Sequence, residues 1–196
     1  MSTYRNVKFL TSAASARQLI EDQGREVAFA GRSNAGKSTA INAITQRSGL
    51  ARVSRTPGRT QLINFFELVP GRRFVDLPGY GFAKVPAAVR ENWLELMQLY
   101  FDTRESLVGL VLIVDSRRGL GEQDVVMLEW ALAKGRGAHV LLSKSDKLNR
   151  RDSTRVLRET EEACADAAVT VQLFSAHARD GIEEARSVMD AWLAEE

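Results

Sequence analysis

Nine consecutive residues, Gly31-Arg32-Ser33-Asn34-Ala35-Gly36-Lys37-Ser38-Thr39, follow the apolar run Val27-Ala28-Phe29-Ala30 and precede Ala40-Ile41-Asn42-Ala43-Ile44, whose spacing suits a helix. The pattern is glycine, four residues, then Gly-Lys-Ser, and each part has a chemical task. The glycines let backbone N–H groups close around phosphate oxygens without a Cβ clash. Lys37 can then reach β and γ phosphates, and the Ser38 hydroxyl can ligate Mg²⁺. A helix starting here turns the positive end of its dipole toward the same anion. The stretch predicts a phosphate-binding loop between a strand and a helix.

Such a loop alone does not choose between ATP kinases, ATPases and GTPases, so later motifs must decide. Asp76-Leu77-Pro78-Gly79 gives an Asp-x-x-Gly at a strand end. Its carboxylate can hold Mg²⁺, directly or through water, and the Gly79 N–H can sense a γ-phosphate. Thr60 closes the loop Gly58-Arg59-Thr60-Gln61-Leu62 and is the natural second hydroxyl ligand, which makes Ser38, Thr60 and Asp76 the metal set. Lys37, Thr60 and Gly79 are the groups placed to act on the γ-phosphate. Ser143-Lys144-Ser145-Asp146 resembles the Asn/Thr-Lys-x-Asp guanine motif, whose carboxylate accepts from guanine N1–H and the exocyclic amine, a donor pair adenine lacks. Ser143 stands where Asn or Thr is usual, yet its hydroxyl can still tie the base loop to the phosphate loop. The Lys144 stem would lie against the base. Phe174-Ser175-Ala176 resembles the last GTPase motif, in which a backbone N–H meets guanine O6.

The elements that must position these residues read as strands alternating with helices. Gln61 to Val69, the turn pair Pro70-Gly71 and Arg72 to Asp76 predict a hairpin. Val89, Trp93, Leu96, Met97 and Tyr100 recur at helical spacing, and Leu107 to Val114 is an apolar run suited to a central parallel strand. A helix follows, with Val125, Leu128 and Leu132 on one face. Ala138 to Leu142 is a strand, and the next helix carries Val156, Thr160, Ala163 and Cys164 on one side. Thr170 to Phe174 is the last strand, and Asp180 with Glu183 forms a capping box for a final helix bearing Ile182, Ala185, Met189 and Trp192. The expected fold is α/β: a three-layer Ras-like P-loop GTPase domain with a mostly parallel six-stranded sheet and one antiparallel edge strand. Every motif falls at the carboxyl end of a strand. Residues 1–22 read as an arm packed on a single domain spanning 23–196, with Val7-Lys8-Phe9-Leu10 able to pair as an edge strand.

At 196 residues and 44% hydrophobic, the chain can bury a full core as one domain. Its 27 basic and 25 acidic residues nearly balance, at net +2, but the basic ones cluster. Arg52, Arg55 and Arg59 share one loop; Arg150, Arg151, Arg155 and Arg158 form a second group, read as a solvated helix face. Cys164 is the only cysteine and His139 and His177 the only histidines, which excludes an internal disulfide and a credible zinc set. No apolar run reaches the roughly 18 residues of a membrane span, and no anchor or lipidation signal appears.

Together Glu26 to Asn34, Thr56-Pro57-Gly58-Arg59-Thr60-Gln61, and Asp76-Leu77-Pro78-Gly79-Tyr80-Gly81 resemble the EngB (YihA/YsxC) family, bacterial GTPases of the TrmE-Era-EngA-EngB group. The resemblance covers almost the whole chain, without the KH or second GTPase domain of related families. It implies binding of GTP, GDP and Mg²⁺, a cytoplasmic monomer, GTP hydrolysis, and work in assembly of the large ribosomal subunit, needed for cell division and septation. In potassium-stimulated relatives the Asn34 position offers an oxygen to K⁺; the alternative here is that Asn34 only stabilises its loop. Tyr80 stands where many GTPases carry the glutamine that orients water, so unaided hydrolysis should be slow, whether the phenol packs or acts. The arginines of the 52–59 loop should order as Thr60 closes on the metal and then meet ribosomal RNA phosphates. The rival reading is a metabolic P-loop nucleotide kinase.

Overall fold

The structure, a computed structural model, describes residues 3–51, 62–81, 87–165 and 168–194. Gly58, Arg59, Thr60 and Gln61 lie outside the described residues, as do Arg52, Arg55 and the side chain of Val89. The elements run β1 (Lys8–Ala13), β2 (Arg25–Gly31), α1 (Lys37–Thr45), β3 (Ile63–Val69), β4 (Arg72–Asp76), α2 (Ala87–Thr103), β5 (Leu107–Asp115), α3 (Glu122–Leu132), β6 (Gly137–Ser143), α4 (Arg150–Ala163), β7 (Val169–Leu173) and α5 (Ile182–Ala194).

One sheet of seven strands has the order β1-β3-β4-β2-β5-β6-β7. β2 pairs parallel with β4 and β5, and β5, β6 and β7 continue in parallel. β3 alone runs against its neighbours, antiparallel to both β4 and β1. The fold class is the expected one, with two refinements of detail. The strand count rises from six to seven because Lys8–Ala13 pairs onto β3, and the antiparallel strand therefore lies one place in from the edge rather than on it.

Alternation along the buried strands divides the core between two faces. Val27 and Phe29 of β2 and Val111 and Ile113 of β5 point to the side covered by α1 and α5, where they meet Ile41, Ile44 and Met189. Ala28, Ala30, Leu110, Leu112 and Val114 point to the other side, against Trp93, Met97 and Tyr100 of α2, Met127 and Leu128 of α3 and Val156 of α4. Each fully buried large apolar side chain contributes about 1.5–3 kcal/mol relative to exposure, which is why the sheet centre is rigid enough to aim its loops.

Glu26, fully buried at the start of β2, is matched by Arg104 just past α2, with Nε at 2.9 Å and Nη2 at 2.6 Å, and by the Tyr100 hydroxyl at 3.2 Å. Arg104 Nη1 also donates to the Ile20 carbonyl at 2.6 Å, so one guanidinium fastens the N-terminal segment to the domain.

Two helix faces and one helix cap differ from the sequence expectation. In α3 the buried residues are Asp124, Met127, Leu128 and Ala131, while Val125 is 42% exposed, because a polar residue with a buried partner displaced an apolar one from the inner face. In α4, Val156, Thr160 and Cys164 are buried but Ala163 faces out. At α5, Asp180 pairs through its backbone with Ser175, and the Glu183 carboxylate accepts from Arg186 Nη1 at 2.5 Å.

Candidate functional site

The phosphate loop leaves β2 at Gly31 and enters α1 at Lys37, so Lys37, Ser38 and Thr39 are the first three residues of the helix. Gly36 sits at φ 102°, a conformation that a side chain would strain, directly ahead of the helix. Asn34 also takes positive φ, at 67°, which asparagine tolerates better than most residues. Inside the loop, Ala35 N–H donates to the Arg32 carbonyl at 2.9 Å. The result is a curl of backbone ending at a helix N-terminus, a geometry suited to anions.

Asp76, at the end of β4, lies beside β2 because Phe29 and Asp76 are register partners. It is ion-paired with Lys37, and both side chains are largely buried. Leu77 N–H donates to the Phe29 carbonyl at 2.9 Å, which carries Pro78 and Gly79 across the mouth of the loop. Immediately after Gly79, Ser33 N–H donates to the Tyr80 carbonyl at 2.8 Å and Arg32 forms a bridge with Tyr80. The Asp-x-x-Gly segment and the phosphate loop are thus stitched backbone to backbone. Leu62, half-buried, precedes β3.

The Tyr80 side chain turns inward. It is 3% exposed, packs against Trp93 with ring centroids 5.8 Å apart, and donates its hydroxyl to Asp124. Burial first, then the neighbouring Asp124 carboxylate, push the phenol far above its ordinary range, so it remains a proton donor. The other Asp124 oxygen accepts Gly121 N–H at 2.9 Å and so caps α3. Of the two readings of Tyr80, packing is the one seen. Asp124 was not singled out from sequence, although a carboxylate three residues after the glycine that opens a helix is a recognisable capping signal.

At the base end, Ser143 closes β6 and its hydroxyl donates to the Ala35 carbonyl at 2.5 Å. Lys144, at φ 59°, lays its stem over Gly36 and donates Nζ to the Asn34 carbonyl at 2.6 Å and to Asp115 Oδ2 at 2.9 Å. Asp115 also takes both Nε and Nη2 of Arg117, at 2.9 and 2.7 Å. Arg117 above all, with Lys144, holds that carboxyl well below the usual range. Asp115 was also missed; its signal was an acid ending an otherwise apolar strand. Ser145 and Asp146 follow in a single 3-10 turn, Ser145–Lys147. The Ser175 hydroxyl donates to Asp146 Oδ1 at 2.6 Å and accepts Ala178 N–H at 3.0 Å. Ser175 first, then Lys147, lower the Asp146 pKa, keeping it an ionised acceptor. Phe174 is buried beneath, its carbonyl accepting Ser145 N–H at 3.2 Å, and Ala176 is half-buried at the loop start.

The described candidates therefore converge from four strand ends: β2, β4, β6 and β7. Asn34 is brought in through its carbonyl, whereas no hydrogen bond is made by its amide among the described residues.

The sequence model of the 50S ribosome-binding GTPase family matches residues 26–144. A probable GTP-binding protein EngB of Coxiella burnetii (strain RSA 331) is 49% identical over 195 residues, spanning 98% of this chain and 95% of that protein. The corresponding protein of Dechloromonas aromatica (strain RCB) is 50% identical over 197 residues, spanning 98% and 90%. A crystal structure of a probable GTP-binding protein engB superposes with TM-score 0.67 at 27% identity, covering 87% of this chain and all of that one. Aquifex aeolicus Era, solved with GDP and aluminium fluoride, reaches the same TM-score at 18% identity over 89% of this chain and 58% of its own, a likeness of fold. With a relative half identical over nearly its full length and the motifs in order along the strand ends, the chain belongs to the EngB family of GTP-binding proteins.

Proposed function

We propose that this GTPase is a GTP-controlled switch: it binds GTP or GDP with Mg²⁺, hydrolyses GTP to GDP and phosphate, and acts in the cytoplasm, as a monomer, on the large ribosomal subunit during assembly. Division and septation would depend on it through that step. Residues 1–22 serve as an arm on the single domain 23–196. The observation that carries the nucleotide reading is the placement of Asp146, a carboxylate anchored by Ser175 at 2.6 Å on a loop that Ser143 and Lys144 fasten to the phosphate loop. An ionised acceptor there matches the two donors of guanine and offers adenine nothing.

In this reading Gly31 to Ser38 cradle the phosphates, Lys37 neutralises the β and γ oxygens, and the Gly79 N–H meets the γ-phosphate. Mg²⁺ would be held by Ser38 and Asp76, with Thr60 added, and would supply charge neutralisation between the phosphates. A hydroxyl and a carboxylate suit this ion, which takes one or two carboxylates and fills its shell with water and phosphate oxygens; no cluster of three or more acidic, His or Cys ligands is found among the described residues. The Asn34 amide, without a hydrogen-bond partner among the described residues, is the group that would meet K⁺ beside the phosphates. Tyr80, held inward by Asp124, does not place its phenol where the glutamine of other GTPases would orient water, so hydrolysis by the isolated protein is slow. The test is phosphate release from GTP with no small-molecule acceptor present, in K⁺ and in Na⁺ at matched ionic strength. Release without acceptor supports the switch, and a strict acceptor requirement rejects it in favour of a kinase. Equal rates in the two salts reject the cation role of Asn34.

A further inference from the structure

The small net charge of the chain conceals an uneven distribution. β5, β6 and β7 are neighbours in the sheet, and their carboxyl ends are aligned to within one residue: Asp115 pairs with Ser143, and Leu142 with Leu173. Their exit loops therefore start within roughly 10 Å of one another. Residues 116–121, 144–151 and 174–181 carry seven basic side chains against two acidic, a net charge of +5, while the whole chain carries +2, so everything else is net −3.

Within these loops, three of the seven have carboxylate partners: Lys144 and Arg117 share Asp115, at the end of β5, and Lys147 pairs with Asp146. Arg118, Arg150, Arg151 and Arg179 are exposed and have no ion-pair partner among the described residues. The rest of the second basic cluster behaves differently: Arg155 pairs with Asp152 and Glu159, and Arg158 with Glu162, as on an ordinary solvated helix face. Arg150 and Arg151 moreover occupy the first two positions of α4, after the Asn149 cap. Cations there oppose the helix dipole and destabilise the helix by about 0.3–1 kcal/mol each. A local rule broken twice, with no compensating ion pair, marks a surface kept for something other than stability.

We infer that Arg118, Arg150, Arg151 and Arg179 form a docking surface for the phosphodiester backbone of folded RNA, on the rim of the base-binding end of the nucleotide site. It is separate from the 52–59 loop and rests on the ribosomal reading only for which RNA is met. Guanidinium groups engage phosphate bidentately, and the exposed α4 N-terminus adds N–H dipoles of the same sign. The β6 and β7 exit loops are tied to each other by Ser145 N–H on the Phe174 carbonyl and by the Ser175 hydroxyl on Asp146, so docking through them costs little loop ordering. Because the same loops hold Asp146 and Ser175, bound RNA would sit beside the base and couple to nucleotide exchange.

The experiment compares the wild-type chain with a fourfold variant, Arg118→Gln, Arg150→Gln, Arg151→Gln and Arg179→Gln, and with a control, Arg155→Gln and Arg158→Gln. Binding to purified large ribosomal subunits and to a 20-base-pair RNA hairpin is measured from 50 to 300 mM KCl, with GDP affinity and thermal unfolding as checks on folding. The fourfold variant should bind both targets more than tenfold more weakly at 100 mM salt. Its log–log salt slope should be shallower by about 3, since each lost phosphate contact removes roughly 0.7–0.9. GDP affinity should be unchanged and the control should bind like wild type. Equal binding by the fourfold variant and wild type overturns the surface, and so does an equal loss in the control, which would indicate charge alone. Wild-type binding to the hairpin but not to subunits keeps the surface and rejects the ribosomal reading; binding to subunits undiminished in the variant does the reverse. Tighter binding to phosphatidylserine vesicles than to the hairpin would make it a membrane-facing patch and overturn the RNA assignment.

Discussion

Replacing Tyr80 by phenylalanine separates structure from chemistry at the position after Asp-x-x-Gly. The substitution removes only the hydroxyl oxygen. The ring keeps its place 5.8 Å from Trp93, and the Tyr80 carbonyl still accepts Ser33 N–H at 2.8 Å. What is lost is a buried hydrogen bond to a carboxylate, worth about 1.5–3 kcal/mol. Asp124 keeps Gly121 N–H on its other oxygen at 2.9 Å, so the cap of α3 survives. With an unfolding entropy of about 2.1 cal/mol/K per residue, a 196-residue domain loses roughly 4–7 °C of Tm for that cost. Calorimetry measures the shift, and single-turnover phosphate release measures the chemistry. Because the buried hydroxyl is engaged by Asp124, the hydrolysis rate should stay within about threefold of wild type, a change of under roughly 0.7 kcal/mol in barrier. A hundredfold fall in rate with an unchanged Tm would refute this reasoning and place the phenol in the reaction.

Ser143→Ala removes the 2.5 Å hydrogen bond that fastens the base loop to the Ala35 carbonyl. At about 1 kcal/mol, GDP should dissociate roughly fivefold faster, measured by stopped-flow release of a fluorescent analogue; an unchanged rate would mean that Lys144 alone holds the loop. His139 lies buried against Thr170 and Gln172, with ring nitrogens at 2.6 and 2.8 Å, and burial pushes its pKa down. The fold holds it neutral while the unfolded chain protonates near pH 6.5, so its contribution to stability is complete above that pH and lost as pH falls through it. Urea midpoints at pH 7.5 and 5.5 should show the fall in wild type and a smaller one in His139→Gln.

The fold was legible because its signals are local and redundant: an eight-residue apolar run for β5, a Pro-Gly turn between β3 and β4, and Gly-x4-Gly-Lys-Ser between a strand and a helix. The edge pairing of Lys8–Ala13 depends on a partner fifty residues away, which periodicity marks only as a possibility. The candidate site was legible where spacing encodes chemistry, as for Lys37, Asp76 and Asp146. It was not legible where a residue acts through a distant neighbour. Asp124 meets Tyr80 across 44 positions and Asp115 meets Lys144 across 29, and only the folded sheet brings those pairs together. The same long-range tie misled the reading of α3, where an aspartate with a buried phenol to satisfy took the inner face and Val125 did not.

Guanine selectivity resting on Asp146 is tested most directly by competition binding of GTP, ATP and XTP to wild type and to Asp146→Asn. Wild type should prefer GTP over both competitors. In the variant, the amide in place of the carboxylate loses one acceptor and gains a donor, which suits the C2 carbonyl of xanthine, so GTP should weaken by at least tenfold while XTP strengthens. An Asp146→Asn protein that keeps the wild-type preference for GTP would contradict the assignment of this loop to the base, and with it the reading of the chain as a guanine-nucleotide switch.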